Sequence, residues 1–299
     1  MPSSGDKSSV VFFGSGPVAA KSLELLLKHQ EVEAIVTKPA TKNHMQSIAS
    51  DIPVYAVGNK AELDGLIVSA LFSSNLGVLI DFGIIVSQTV IDSFTHGIIN
   101  SHFSLLPEWR GADPINFSIL SGQAKTGVSL MLVDKGMDTG KILTQKTLIL
   151  KQDETSTTLT QKLIALSGDL LCVSIPRYLK GEIKPKNQPH PDRATYSRKL
   201  AKKDGSLDFT KPAKILEREI RAFIEWPKSR TTLAGKDVVI LKASLDDTAS
   251  GQIGEAYVTD DKKIGIYTTA GSLIIEDLKP ANKNPMSSKA FLAGYGHNL

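Results

Sequence analysis

A single cysteine, Cys172, stands among 299 residues, so no intrachain disulfide can staple the fold. It sits in an apolar helical run, where a buried structural thiol is expected. Aromatic residues make up only 6% of the chain, charged residues 22%, and the net charge is +4. That balance is ordinary for a soluble globular protein and gives no sign of disorder. No apolar run approaches a membrane span, and the opening Met-Pro-Ser-Ser-Gly-Asp-Lys has neither the core of a signal peptide nor an Arg-rich amphipathic pattern. The six histidines are scattered and no paired Cys/His spacing occurs, so no metal site is expected. The expectation is a soluble cytoplasmic protein, a monomer with no membrane partner, held by ordinary hydrophobic cores.

The length suits two domains, each large enough to bury a core. Charge is spread unevenly between them. Residues 1–180 carry 15 Lys+Arg and 16 Asp+Glu, whereas 181–299 carry 20 and 15. A modestly basic C-terminal part suits a polyanionic partner.

Short apolar strands at 10–13, 32–36, 54–57, 76–81, 97–102, 126–134 and 141–150 alternate with helical patterns. That alternation predicts an α/β fold with a doubly wound, mostly parallel sheet, whose ligand crevice lies beyond the carboxyl ends of the strands. A long helix is expected over 156–179, with Leu159, Leu163, Leu166, Leu170 and Val173 as its core stripe. Pro185, Pro189 and Pro191 mark a stiff linker. Thr210 is the expected N-cap of a further helix, with Pro212 in its first turn and Arg218 and Arg221 on one face. Short β-rich runs from 231 to 278 predict a small barrel. The division is therefore a first domain at 1–182, a linker at 183–205 and a β-barrel domain at 206–299.

Two sets of residues carry candidate chemistry. Gly14-Ser15-Gly16-Pro17-Val18-Ala19 matches Gly-x-Gly-x-x-Ala, the turn of nicotinamide-binding sheets. The following strand ends in Thr37-Lys38-Pro39, without the acidic residue that would hold an adenosine ribose, which favours glycines serving a tight turn. The second set lies at 97–140. Side chains alternate along a strand, so Asn100 and His102 face one space, and a loop bracketed by Gly136 and Gly140 can present Asp138 beside them. Amide, imidazole and carboxylate suit attack by a neutral amine on an acyl carbon, with no Ser or Cys nucleophile.

Asn100-x-His102, then Ser104-Leu105-Leu106-Pro107, Arg110-Gly111 and Asp138-Thr139-Gly140, in that order, resemble the signature of the folate-dependent formyltransferases. Arg221-Ala222-Phe223-Ile224-Glu225-Trp226-Pro227 resembles the segment that joins the two domains in the methionyl-tRNA branch, as does the ending around Met286-Ser287 and Phe291. The resemblance covers nearly the whole chain. It implies a Rossmann-like catalytic domain and an OB-like barrel, and transfer of a formyl group from 10-formyltetrahydrofolate to initiator methionyl-tRNA. It also implies Asn100, His102 and Asp138 as the catalytic set. Phe82, Gly83 and Ile84, with Ser104, Leu105, Leu106 and Pro107, would hold the folate, and Gly14, Gly16, Lys42 and Arg110 the acceptor.

The chain departs from that family in two places. Asp81-Phe82 replaces the commoner Ala-Tyr, and 38–45 is shorter than the usual basic insertion and lacks arginine. tRNA recognition then rests more on Lys42, Arg110 and the basic barrel, contacts that give affinity with little selectivity. Rival readings are a formyltransferase acting on a small amine such as an amino sugar nucleotide, a nicotinamide oxidoreductase, and a catalytically silent RNA-binding protein.

Overall fold

The computed structural model describes residues 9–296. The opening heptapeptide and the outer ends of the two expected domains lie outside the described residues. Two compact units are formed. The first takes the chain through Pro114, then Lys125–Ile149 and Thr160–Ser197; the second takes Ile115–Ala124, Leu150–Leu159 and the chain from Arg198 onward.

The chain begins with β1 (Val10–Gly14), α1 (Gly16–Leu26), β2 (Val32–Thr37), α2 (Lys42–Ile48), β3 (Val54–Ala56) and α3 (Lys60–Ala70). It continues through β4 (Gly77–Ile80), α4 (Gln88–Asp92), β5 (Ile98–His102), β6 (Arg110–Gly111), α5 (Pro114–Leu120), β7 (Lys125–Leu132), β8 (Ile142–Ile149) and α6 (Ser156–Leu179). The main sheet has the order β3-β2-β1-β4-β5-β7-β8. β1 to β5 run parallel, and β7 and β8 close the edge antiparallel. Every residue of β1 is buried, as a parallel strand covered on both faces requires. Strand order reverses between β1 and β4, which opens a crevice beyond their carboxyl ends. Side chains set where the helices begin: Asn59 accepts from the Glu62 N–H ahead of α3, and Ser87 from the Val90 N–H ahead of α4.

The stripe of α6 differs from the sequence expectation. Leu159, Leu163, Leu171 and Ile175 are buried together with Ser167 and Ser174, while Val173 is exposed and Cys172 half-buried. Serines let the helix pack closely, as where Ser167 and Ser101 hydroxyls meet at 2.6 Å, and a hydrophobic pattern cannot register them. α6 is also long and apolar enough by composition to cross a membrane, contrary to the expectation that no run approaches that. Its many Ser and Thr residues are near neutral in hydropathy and interrupt any continuous apolar run, while Leu159, Leu163 and Leu171 are buried in protein.

Residues 183–197 do not swing free of the first unit. Ile142 and Lys186 exchange backbone hydrogen bonds of 2.7 and 2.9 Å, and β9 (Tyr196–Ser197) pairs in parallel with β6.

The second unit carries α7 (Ala213–Ala222), β10 (Ser229–Leu233), β11 (Lys236–Asp246), β12 (Ala256–Val258), β13 (Ile264–Tyr267), β14 (Ser272–Pro280), β15 (Met286–Ser287) and α8 (Ser288–Tyr295). The antiparallel order is β10-β11-β14-β13-β12, with β15 on β14, and irregular register in β11 curls the sheet. Leu216, Ile220, Ile240, Ile275, Leu278 and Phe291 form its core. α7 starts at Ala213 with Pro212 as N-cap, not Thr210. Asp208 Oδ1 accepts from both the N–H (3.1 Å) and the hydroxyl (2.6 Å) of Thr210, so that residue is used in an Asx turn before the helix begins. Arg218 and Arg221 reach back within the same unit, to the Ser121 and Glu154 carbonyls.

Candidate active site

β5 aims Asn100 and His102 to one side and Ser101 to the other, where it meets Ser167. His102 is only 6% exposed, and its Nε2 lies 2.8 Å from the Trp109 carbonyl oxygen. A carbonyl can only accept, so Nε2 carries a proton, and in the neutral tautomer with that proton the lone pair lies on Nδ1. Nδ1 faces Asp138 Oδ2 at 3.6 Å.

Asp138 arrives on the loop between β7 and β8. That loop is closed by Asp134, whose Oδ1 accepts from Gly136 N–H at 3.0 Å and Thr139 Oγ1 at 2.7 Å, and by a Leu132-to-Lys141 backbone bond of 2.9 Å. Gly140 must be glycine here, because a Cβ would stand 1.7 Å from the Leu132 carbonyl. Asp138 is held in the left-handed region at φ 53°. Its Oδ2 accepts from Gly111 N–H at 2.8 Å, and its Oδ1 from Asn100 Nδ2 at 3.3 Å. Amide, imidazole and carboxylate thus meet at the carboxyl end of β5, and the first of these contacts also ties in the Arg110–Gly111 strand.

The other named residues divide by burial. Ser104 and Leu106 are buried and serve the loop itself: Ser129 Oγ donates to the Ser104 carbonyl and accepts from Leu106 N–H, and Leu106–Pro107 is cis. Leu105 and Pro107 stay half-buried. Phe82 is core, set edge-on to Phe13 at 5.8 Å, so its side chain is not available to a ligand. Its neighbours fit a flat heterocycle better. Among the described residues, the amides of Gly83, Ile84 and Ile85 take no part in backbone pairing, and Ile85 is 78% exposed. Gly83 lies at φ 65°, and a Cβ there would meet Lys38 Nζ at 2.7 Å. These unpaired amides lie beside the exposed apolar side chain of Ile85.

Gly14 is explained by packing: a Cβ would meet Phe12, Ala19 and the Ile80 carbonyl, all within 2.9 Å. Gly16 borders the crevice, with Asp81 Oδ2 3.5 Å from where its Cβ would be. Lys42 is exposed at the start of α2. Arg110, expected to reach the acceptor, is instead turned inward and 6% exposed, its guanidinium on Gln188 and Tyr196.

Sequence reasoning left Asp81 and Lys38 out of the site. Asp81 is exposed at its surface, yet the protein packed around it strips part of its hydration, and that loss pushes its carboxyl up to about 6. Lys38 opposes that rise and Asp113 adds to it. A charge placed straight after a buried strand, as Asp81 follows β4, was the available signal. Gln188 and Thr195 were missed as well, and nothing in a proline-rich polar stretch marks them.

Residues 7–174 match the formyl transferase family, and residues 199–296 match the formyl transferase C-terminal domain. The methionyl-tRNA formyltransferase of Myxococcus xanthus is 36% identical over 96% of this chain and 95% of its own length. This chain belongs to the methionyl-tRNA formyltransferase family. The enzymes of that name from Listeria innocua and Chloroflexus aurantiacus are 31% and 32% identical, over 98% and 95% of this chain and 97% and 96% of their own. Among solved structures, an N-formyltransferase from Helicobacter canadensis, in complex with folinic acid and dTDP-3-aminofucose, superposes with a TM-score of 0.68. It covers 90% of this chain and 99% of its own at 19% identity, a likeness of fold. HypX from Aquifex aeolicus in complex with tetrahydrofolic acid superposes at 0.64, covering 97% of this chain and 48% of its own at 15% identity. The methionyl-tRNA formyltransferase likeness therefore spans both units, whereas the two structural neighbours extend only the fold.

Proposed function

We infer that this chain transfers a formyl group from 10-formyltetrahydrofolate to the amino group of methionyl-tRNA, giving N-formylmethionyl-tRNA for translation initiation, with Asn100, His102 and Asp138 as the catalytic groups. The observation that carries the assignment of residues is their convergence within 3.6 Å contacts at one strand end, in a chain that aligns over 96% of its length with a methionyl-tRNA formyltransferase.

When bound, the folate supplies the formyl carbon. The protein's part is to place a neutral amine against that carbon, stabilise the oxygen as it gains charge, and carry the proton. An α-amine titrates near pH 8, so a fraction is already neutral at about pH 7. As the new carbon–nitrogen bond forms, the amine's proton passes to His102 Nδ1, the ring nitrogen that holds a lone pair, and Asp138 balances the resulting charge. The second N–H of Asn100, the one not given to Asp138, donates to the formyl oxygen. The proton is then returned to the departing folate nitrogen as its bond to the formyl carbon breaks.

The Gly83–Ile85 amides and the half-buried Leu105 and Pro107 receive the folate in this scheme. Gly14, Gly16 and Lys42 border the acceptor, and the basic C-terminal unit, an OB-like barrel, binds the tRNA. The chain works as a cytoplasmic monomer. Transfer of labelled formyl to charged initiator tRNA, set against transfer to an amino sugar nucleotide, tests the reading. Formylation of the tRNA alone is expected; formylation of the sugar alone overturns it.

A further inference from the structure

The side chain of Gln188, 8% exposed, lies between the Arg110 guanidinium and the loop that carries Asp138. Arg110 donates to Gln188 Oε1 from Nε at 3.2 Å and from Nη2 at 2.7 Å. Gln188 Nε2 in turn donates to the Asp138 carbonyl at 2.7 Å and to the Gly140 carbonyl at 3.0 Å. The chemistry fixes which way the amide points. A guanidinium only donates and a carbonyl only accepts, so no other orientation satisfies all four groups.

Arg110 is itself held on both sides. Its N–H donates to the Thr195 carbonyl at 2.9 Å, its carbonyl accepts from Ser197 Oγ at 3.2 Å, and its strand pairs with Tyr196–Ser197. The next residue, Gly111, gives its N–H to Asp138 Oδ2 at 2.8 Å. The segment 186–197 therefore grips the carboxylate loop from its backbone through Gln188, and the carboxylate itself through the Arg110–Gly111 strand. Asp138 needs such support. It is a non-glycine residue at φ 53°, and its Oδ2 sits 3.6 Å from His102, where a small shift changes how well the carboxylate balances the charge that His102 gains.

We propose that Arg110 and Gln188 are positioning residues for formyl transfer, holding the Asp138 carboxylate in register with His102 and Asn100. The proposal rests on Asp138 acting as inferred above. It gives Arg110 a role apart from acceptor binding and makes residues 186–197 part of the catalytic apparatus.

The test is a double-mutant cycle in the full-length protein, measured as kcat and KM for methionyl-tRNA and 10-formyltetrahydrofolate. Gln188→Glu keeps an acceptor toward Arg110 and the same shape but cannot donate to the two loop carbonyls; Gln188→Leu removes both functions. A displacement of about 1 Å costs roughly 10²-fold, so kcat should fall by about that factor in both variants with each KM within about threefold of the parent. In an Asp138→Ala background, Gln188→Glu should cost nothing further beyond about twofold, because it acts through the missing carboxylate. An unchanged kcat in folded Gln188→Glu, a loss confined to KM for the tRNA, or an equal loss in both backgrounds overturns the proposal. If Asp138→Ala alone keeps full kcat, it is the catalytic assignment that fails. If Asp138→Ala is slow and the Gln188 variants are not, only the positioning role fails.

Discussion

Gly111 gives its backbone N–H to Asp138 Oδ2 across 2.8 Å, and it can do so only as glycine. It lies at φ 110°, and a Cβ would stand 2.2 Å from the Ser197 carbonyl on the paired strand. Gly111→Ala therefore has to part β6 from β9 and draw the N–H off the carboxylate. Overpacking of this kind costs roughly 1–3 kcal/mol, so a lowered melting temperature and a slower transfer are expected together. Calorimetry and single-turnover kinetics on one preparation check both.

Asn100→Ala removes the donor proposed for the formyl oxygen. Loss of one such donor slows chemistry by about 10²–10³. Single-turnover transfer to methionyl-tRNA should show that loss with the protein still folded by circular dichroism. His102→Ala should lose at least as much, because it also removes the proton acceptor. Full transfer by either variant would mean that the chemistry lies elsewhere.

The Asp81 carboxyl, pushed up to about 6, makes stability depend on pH. The folded state holds this proton more tightly than the unfolded chain does, so the site favours folding fully below the ordinary carboxylate pKa, near 4. That contribution is lost as pH rises through about 6. Asp81→Asn mimics the protonated form. Its melting temperature should match the parent near pH 4 and exceed it near pH 7.5; an equal or lower value at the higher pH contradicts the burial argument.

Asp204 has the opposite sign. Two hydrogen bonds from Arg198, at 2.7 and 2.8 Å, and the Ala201 N–H hold its carboxyl down to about 2. The folded state prefers the ionised form, so the contribution is complete above about pH 4 and is lost as pH falls through about 2. Asp204→Asn should lower the urea midpoint of the second unit near pH 7, and the gap from the parent should close toward pH 2.

The alternation of short apolar strands with helical segments fixed an α/β class, because burial of continuous apolar strands follows from composition and period, and the charge count along the chain marked the basic C-terminal part. Asn100 and His102 could likewise be placed on one face, since strand parity is local. The stripe of α6 was read with the wrong members at its end because Ser167 and Ser174 are buried yet polar. Thr210 looked like a cap, and only the Asp208 side chain shows why it is not one.

What the amino-acid order determined alone was everything that depends on neighbours a few residues apart: the elements, the shared face of Asn100 and His102, and a glycine-bracketed loop able to present Asp138. Tertiary structure decided the partners. It turned Arg110 inward onto Gln188, 78 positions away, gave Nε2 of His102 to the Trp109 carbonyl, and set Asp81 in a crevice that raises its pKa. Hydrogen bonds and desolvation depend on distance in space, and distance in space between remote residues is set by how the sheet and its loops pack.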